Sequence, residues 1–279
     1  MSERIVNLHS ELVYSVATPT TILLQVSAMH TDRQFISDEL LTINPPIAVD
    51  YLQADALGTR ACRLSLQPGT NTIHYSSKAK LSPKEPSGKD LNELDFTELT
   101  ADVLPYLNPS RYCESDKLGK FAADTFGDVN RGFDRVSKIV DWVYDSFSYA
   151  PGSTGPSTTA CDVLLQRSGV CRDFAHVGIA LCRALGIPAR YVSGYAVNLE
   201  PPDFHGFFEA FLGGDWILFD ATKLAPVSGF VRIGAGRDAA DVAFATLIGD
   251  AKLTSMLVQA TDSKQQGGDK HHSEVISTA

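Results

Sequence analysis

No stretch of this 279-residue sequence is apolar over the ~18 positions that a membrane-spanning helix needs. The opening residues Met1–Ile5 also lack the apolar core of a signal peptide, and the expectation is a cytoplasmic protein without a membrane partner. Cysteine is scarce: the five residues are an odd number, none in Cys-x-x-Cys spacing, which argues against a disulfide framework and against a zinc site. Basic residues are in deficit, 24 Lys and Arg against 33 Asp and Glu, so there is no basic stripe for nucleic acid. The resulting net charge of −9 favours solubility without naming a substrate. Gly234-Ala235-Gly236 has no Gly-Lys-Ser sequence after it and is not a phosphate loop. Neither a metal nor a cofactor is expected, and the oligomeric state stays open.

What the chain does have is apolar content, 44% of residues, enough for a sizeable core and two domains. Over residues 11–82, short β-type segments (Thr21–Ser27, Gln34–Ser37, Ala61–Leu66, Asn71–Tyr75) alternate with turn signals at Pro45-Pro46 and Pro68-Gly69, a sandwich-like pattern. Pro83–Glu93 has the composition of an interdomain linker. From about residue 117 the pattern turns helical, and Phe133, Val136, Val140, Val143 and Tyr144 predict a helix over 131–146, with Trp142 as core or groove wall. Gly229–Gly236 and Lys252–Gln259 read as further strands. The division expected is a β-rich domain over 1–95, a catalytic domain over 96–262 and a disordered polar tail over 263–279 that carries His271 and His272. His9, His30 and His74 are taken as structural.

Cys171 stands out by its context. Phe174, Gly178, Leu181, Cys182 and Leu185 recur at three- and four-residue spacing, predicting a helix that Cys171 opens. Ser168 is the expected N-cap and Gly169 the tight turn, which places the thiol at the positive end of the helix dipole, where thiolate is favoured. Cys182 lies on the packed face and Cys62 alternates with Leu64 and Leu66, so both are expected in the core; Cys113 and Cys161 lack a decisive pattern.

A nucleophilic thiol needs a base, and the base an orienting group. His176 is five residues along the helix, roughly 140° around the axis from Cys171, and is expected to serve packing. His205–Leu212 and Asp215–Asp220 flank Gly213-Gly214 in the form of a β-hairpin. A two-residue turn pairs Leu212 with Asp215 and sets Phe207 across from Asp220, making His205 and Asp220 diagonal neighbours on one face. Glu209 shares that face but lies about 13 Å along the strand, too far to orient the ring.

These residues resemble the bacterial transglutaminase-like proteins of the papain-like thiol-enzyme superfamily. Arg167–Tyr195 is similar to the family's nucleophile helix and following strand, His205-Gly206-Phe207-Phe208-Glu209 to its His-Ala-Trp block, and Trp216–Thr222 to its Trp-x-x-x-Asp-Pro-Thr block. Tyr106–Cys113 and Phe147–Thr154 resemble upstream landmarks, while Glu11–Val16 and Leu40–Pro46 resemble the β-domain that precedes the core in bacterial members. Gly206, Phe207, Ala221 and Lys223 depart from the usual residues and are expected to reshape the substrate groove.

The resemblance implies an α+β fold, in which an N-terminal β-sandwich-like domain precedes a papain-like core with its nucleophile helix on an antiparallel sheet. It assigns Cys171, His205 and Asp220 as nucleophile, base and orienter, acting on a polypeptide or peptide-like amide through a thioester. The Cys171 N–H is an expected oxyanion donor, and Gln166 is the candidate for a second. A cysteine peptidase or amidase is expected from the absence of acidic loops suited to calcium control. Protein-glutamine amine transfer (cross-linking) and a catalytically silent polypeptide-binding protein are the alternatives.

Overall fold

The computed structural model describes residues 3–86, 91–263 and 275–279. The first half is a β-sandwich. One sheet contains β1 (Arg4–Val16), β3 (Gln34–Asn44) and β6 (Gly69–Leu81); the other contains β2 (Thr20–Leu24), β4 (Asp50–Tyr51) and β5 (Cys62–Leu66). In β1, Val6, Leu8, Ser10, Leu12, Tyr14 and Val16 all face inward, the period-two pattern of a strand with one buried side. They meet Ile22, Leu24, Leu64 and Leu66 from the facing sheet, and Cys62 lies in this core as expected.

The second half is helical at first: α1 (Gly119–Phe126), α2 (Phe133–Ser146), then the short strand β7 (Ser148–Tyr149), α3 (Ala160–Gln166), β8 (Ser168–Gly169) and α4 (Cys171–Ala184). An antiparallel sheet follows, β9 (Ala189–Ala196), β10 (His205–Leu212), β11 (Asp215–Phe219) and β12 (Phe230–Gly236), in the order β11-β10-β9-β12. The helix expected to pack on the cysteine helix is α2: Val136, Ile139 and Val143 are fully buried in one cluster with Phe174, Val177 and Leu181 of α4. Each such side chain contributes roughly 1.5–3 kcal/mol by leaving water. Helix α4 lies close on the sheet, for a Cβ added at Gly178 would come within 2.7 Å of the Phe208 ring on β10.

Three expectations are corrected. The chain does not stay in the second domain: β13 (Ala245–Ile248) pairs with β2, and β14 (Ala251–Asp262) runs antiparallel to β1 along its whole length, so each closes an edge of the N-terminal sandwich. Alternating apolar residues identify a strand but not its partner, which is why sequence order misassigned these two. The segment taken as a linker also carries packing residues: Leu91 is buried, its carbonyl accepts from the Phe133 N–H, and the Glu93 carboxylate accepts from the Gly132 N–H and Arg131. Residues 264–274, including His271 and His272, lie outside the described residues. Val275–Ala279, however, return to the fold: Ile276 is buried, its carbonyl accepts from Leu218 N–H, Ser277 bridges to Lys84, and Arg232 donates to Thr278 Oγ1. The polar stretch before them hid an apolar anchor. Among the described residues no helix is long and apolar enough to cross a membrane.

Candidate active site

Cys171 is the first residue of α4, but Ser168 is not its cap. Ser168 and Gly169 instead form β8, parallel to β7, and the helix is capped by Asp173, whose Oδ2 accepts from the Val170 N–H at 2.9 Å. An acidic residue in the third helical position that reaches back to the N-cap amide is half of a capping box, a signal present in Cys171-Arg172-Asp173. The carboxylate is fully buried and also accepts from Thr154 Oγ1 (2.6 Å) and from Arg172 (2.8 Å), which in turn donates to the Gly155 carbonyl. The loop before α3 is thereby tied to the turn that carries the thiol.

The hairpin has the expected register. Leu212 pairs with Asp215 and Phe208 with Phe219, and Gly213 and Gly214 have φ of 59° and 87°, the positive values that a two-residue type I′ turn requires. His205 and Asp220 therefore meet: Nε2 lies 3.0 Å from Asp220 Oδ2, with both side chains buried. Asp220 Oδ1 is fixed by the Thr222 N–H (2.9 Å) and hydroxyl (2.7 Å). The other ring nitrogen, Nδ1, is buried with no hydrogen-bond partner in good geometry, and Cys171 is the group that adjoins the ring on its remaining polar interaction. Burial works against a charged His205. It is outweighed by the charge and hydrogen bond of Asp220 and by Cys171, and the pKa rises to about 10. Burial likewise opposes ionisation of Asp220, yet His205 and the two Thr222 donors hold its carboxyl below the usual aspartate value. A histidine whose charged form is favoured beside a cysteine and backed by a carboxylate is suited to acid–base work.

The remaining candidates fall elsewhere. His176 is fully buried, stacked on Tyr112 at 5.1 Å, with Nε2 accepting from the Ala239 N–H; burial pushes its pKa down to about 3, and it serves packing as expected. Glu209 does not touch His205; it is paired with Arg190 (2.7 Å) and Arg232. Gln166 is exposed and donates its amide to the Ser168 carbonyl. Cys62, Cys113 and Cys182 are buried.

The departures at 206 and 207 have packing reasons. A Cβ at residue 206 would overlap the Tyr191 hydroxyl and sit 3.0 Å from its ring, so glycine is required. Phe207 is fully buried against Phe230, with ring centroids 4.5 Å apart, and forms a wall behind His205 instead of lining the groove. Lys223 has φ 52° and holds Asp141, linking the turn after Asp220 to α2. Among the described residues no group of three His, Cys, Asp or Glu side chains is arranged to hold a metal ion.

Comparison with known proteins agrees with this layout. Residues 119–221 match a model of the transglutaminase-like superfamily, and residues 5–102 match that of the bacterial transglutaminase N-terminal domain. A crystal structure from Cytophaga hutchinsonii, described as a "putative cysteine protease", superposes with TM-score 0.95 at 42% identity, covering 100% of this chain and 99% of that one. A Mycobacterium leprae protein is 29% identical over 213 residues, 71% of this chain and 75% of its own. A Mycobacterium tuberculosis protein is 34% identical over 186 residues, 60% of this chain and 57% of its own. With a buried histidine–aspartate pair set against the first residue of a helix, and with both halves of the chain matched, this protein belongs to the transglutaminase-like superfamily and carries the bacterial N-terminal domain.

Proposed function

We propose that the protein is a thiol enzyme of the peptidase or amidase type, in which Cys171, His205 and Asp220 cleave an amide bond through a thioester. The observation that carries this reading is the asymmetry of His205: one nitrogen is held by Asp220, and the other is left for the thiol. The Cys171 sulfur attacks the amide carbon, and the carbonyl electron pair moves onto oxygen. As the pair returns, the C–N bond breaks, and His205 delivers its Nδ1 proton to the departing amine. Water then attacks the thioester and gives one proton to His205; the C–S bond breaks, the acid leaves, and the sulfur anion and protonated His205 are restored. The Asp220 carboxylate keeps the imidazole in the orientation that both steps require.

The substrate class is a polypeptide or peptide-like amide. We place the reaction in the cytoplasm, a reducing compartment in keeping with five unpaired thiols. The test is incubation with a peptide library containing glutamine, with and without a labelled primary amine, using Cys171→Ala as control. Shorter peptides, or glutamate in place of glutamine, that vanish in the variant support hydrolysis. Label incorporated into glutamine makes the enzyme a cross-linking amine transferase instead, and products that persist in Cys171→Ala overturn the thiol mechanism.

A further inference from the structure

The oxygen of a tetrahedral intermediate is normally held by two donors. The Cys171 N–H is one, and Gln166 is engaged with the Ser168 carbonyl. The group that stands at the Cys171 amide is Tyr149. Its position follows from the backbone: β7 runs parallel to β8 with Tyr149 opposite Gly169, and the Ala150 N–H donates to the Gly169 carbonyl at 2.9 Å. Tyr149 is thus fixed beside the turn into α4, two residues from the nucleophile. Its ring leans on Phe174, with centroids 6.0 Å apart, one turn further along the helix. From there the hydroxyl is near enough to Cys171 for that residue to be among the groups that act on it. Tyr149 is 37% exposed, so part of this residue faces solvent beside the turn into α4.

We propose that Tyr149 is the second oxyanion donor of this site. The inference rests on the acyl-transfer reading above. The Cys171 N–H and the tyrosine hydroxyl then flank the point where a substrate carbonyl oxygen lands. A carbonyl oxygen arriving there accepts from the Cys171 N–H and from the tyrosine O–H. As the C–S bond forms, the carbonyl π pair moves onto that oxygen between the two donors; as the C–N bond breaks, the pair returns. The phenol transfers no proton. Burial, together with the neighbouring Cys171 and Asp203, holds its pKa above the ordinary tyrosine value, so it stays a donor at neutral pH.

The test uses Tyr149→Phe, which keeps the ring on Phe174, with two reagents. p-Nitrophenyl acetate acylates the thiol through a tetrahedral oxyanion; iodoacetamide alkylates it by displacement at a saturated carbon, with no oxyanion. The expected result is a fall in acylation turnover on the order of 10²-fold at similar KM, while the iodoacetamide rate at Cys171 changes less than about twofold, as the differential argument requires. Unchanged turnover overturns the proposal. Faster acylation and faster alkylation together also overturn it, making the tyrosine a cover over the thiol, and a parallel loss of both makes it part of the nucleophile's activation. Acylation that persists in Cys171→Ala would count against the thiol reading itself, separately from the role of Tyr149.

Discussion

His205 Nε2 and Asp220 Oδ2 lie 3.0 Å apart in a region closed to water, on two strands joined by the Gly213-Gly214 turn. The carboxylate holds one ring nitrogen, and in the proposed mechanism Nδ1 serves Cys171. Asp220→Asn keeps the shape but removes the charge, and the expected outcome is a loss of kcat of about 10⁴-fold with little change in KM. Steady-state kinetics on any amide substrate found for the wild type checks this.

The raised pKa of His205 also makes a statement about stability. Below about 6.5, the ordinary histidine value, folded and unfolded chains both hold the proton, and the stabilisation from pairing with Asp220 is fully present. As pH rises from there through about 10, the unfolded chain has released its proton while the folded one is still releasing it, and the contribution is lost. The difference in melting temperature between wild type and His205→Gln should therefore be largest near pH 6 and shrink toward pH 10. A gap that is flat across that range would show that the pair does not hold an extra proton.

Cysteine labelling should be selective. Burial raises the thiol pKa of Cys62 to about 11 and of Cys113 to about 12, raises that of Cys182 further, and together with Glu114 raises that of Cys161 to about 11. Iodoacetamide at pH 7 should modify Cys171 first in the native protein, and the rate should drop in His205→Ala. Peptide mapping by mass spectrometry identifies the site; first labelling at Cys161 would contradict the assignment.

Gly206→Ala, which restores the residue usual for the family, should destabilise this chain by about 1–3 kcal/mol, because the new methyl overlaps the Tyr191 hydroxyl. Adding Tyr191→Phe should recover part of the loss, since the ring carbons at 3.0–3.1 Å remain tight. Urea titrations of the single and double variants measure the recovery.

Glu209 is 0% exposed and lies between two buried guanidiniums, Arg190 and Arg232. Glu209→Gln leaves those charges without a counter-ion and should cost about 3–5 kcal/mol. The same variant leaves the His205–Asp220 pair in place, so residual activity per folded molecule should be near that of the wild type. Calorimetry combined with active-site titration separates the two effects.

Sequence alone determined what short-range physics controls. The spacing of Phe174, Gly178 and Leu181 required a helix that begins at Cys171, and the Gly213-Gly214 turn with its alternating flanks set the register that puts His205 beside Asp220. The period of a helix and the two-fold alternation of a strand are properties of neighbouring residues, so they can be read without a fold. Tertiary structure decided what depends on distant partners. It seated β14 on β1 and Ile276 beside Leu218, brought Glu209 between Arg190 and Arg232, and carried Tyr149 to the turn before Cys171. An alternating strand fits many edges, and a buried carboxylate is stabilised only by the cations that packing brings to it, so neither outcome is encoded in local spacing.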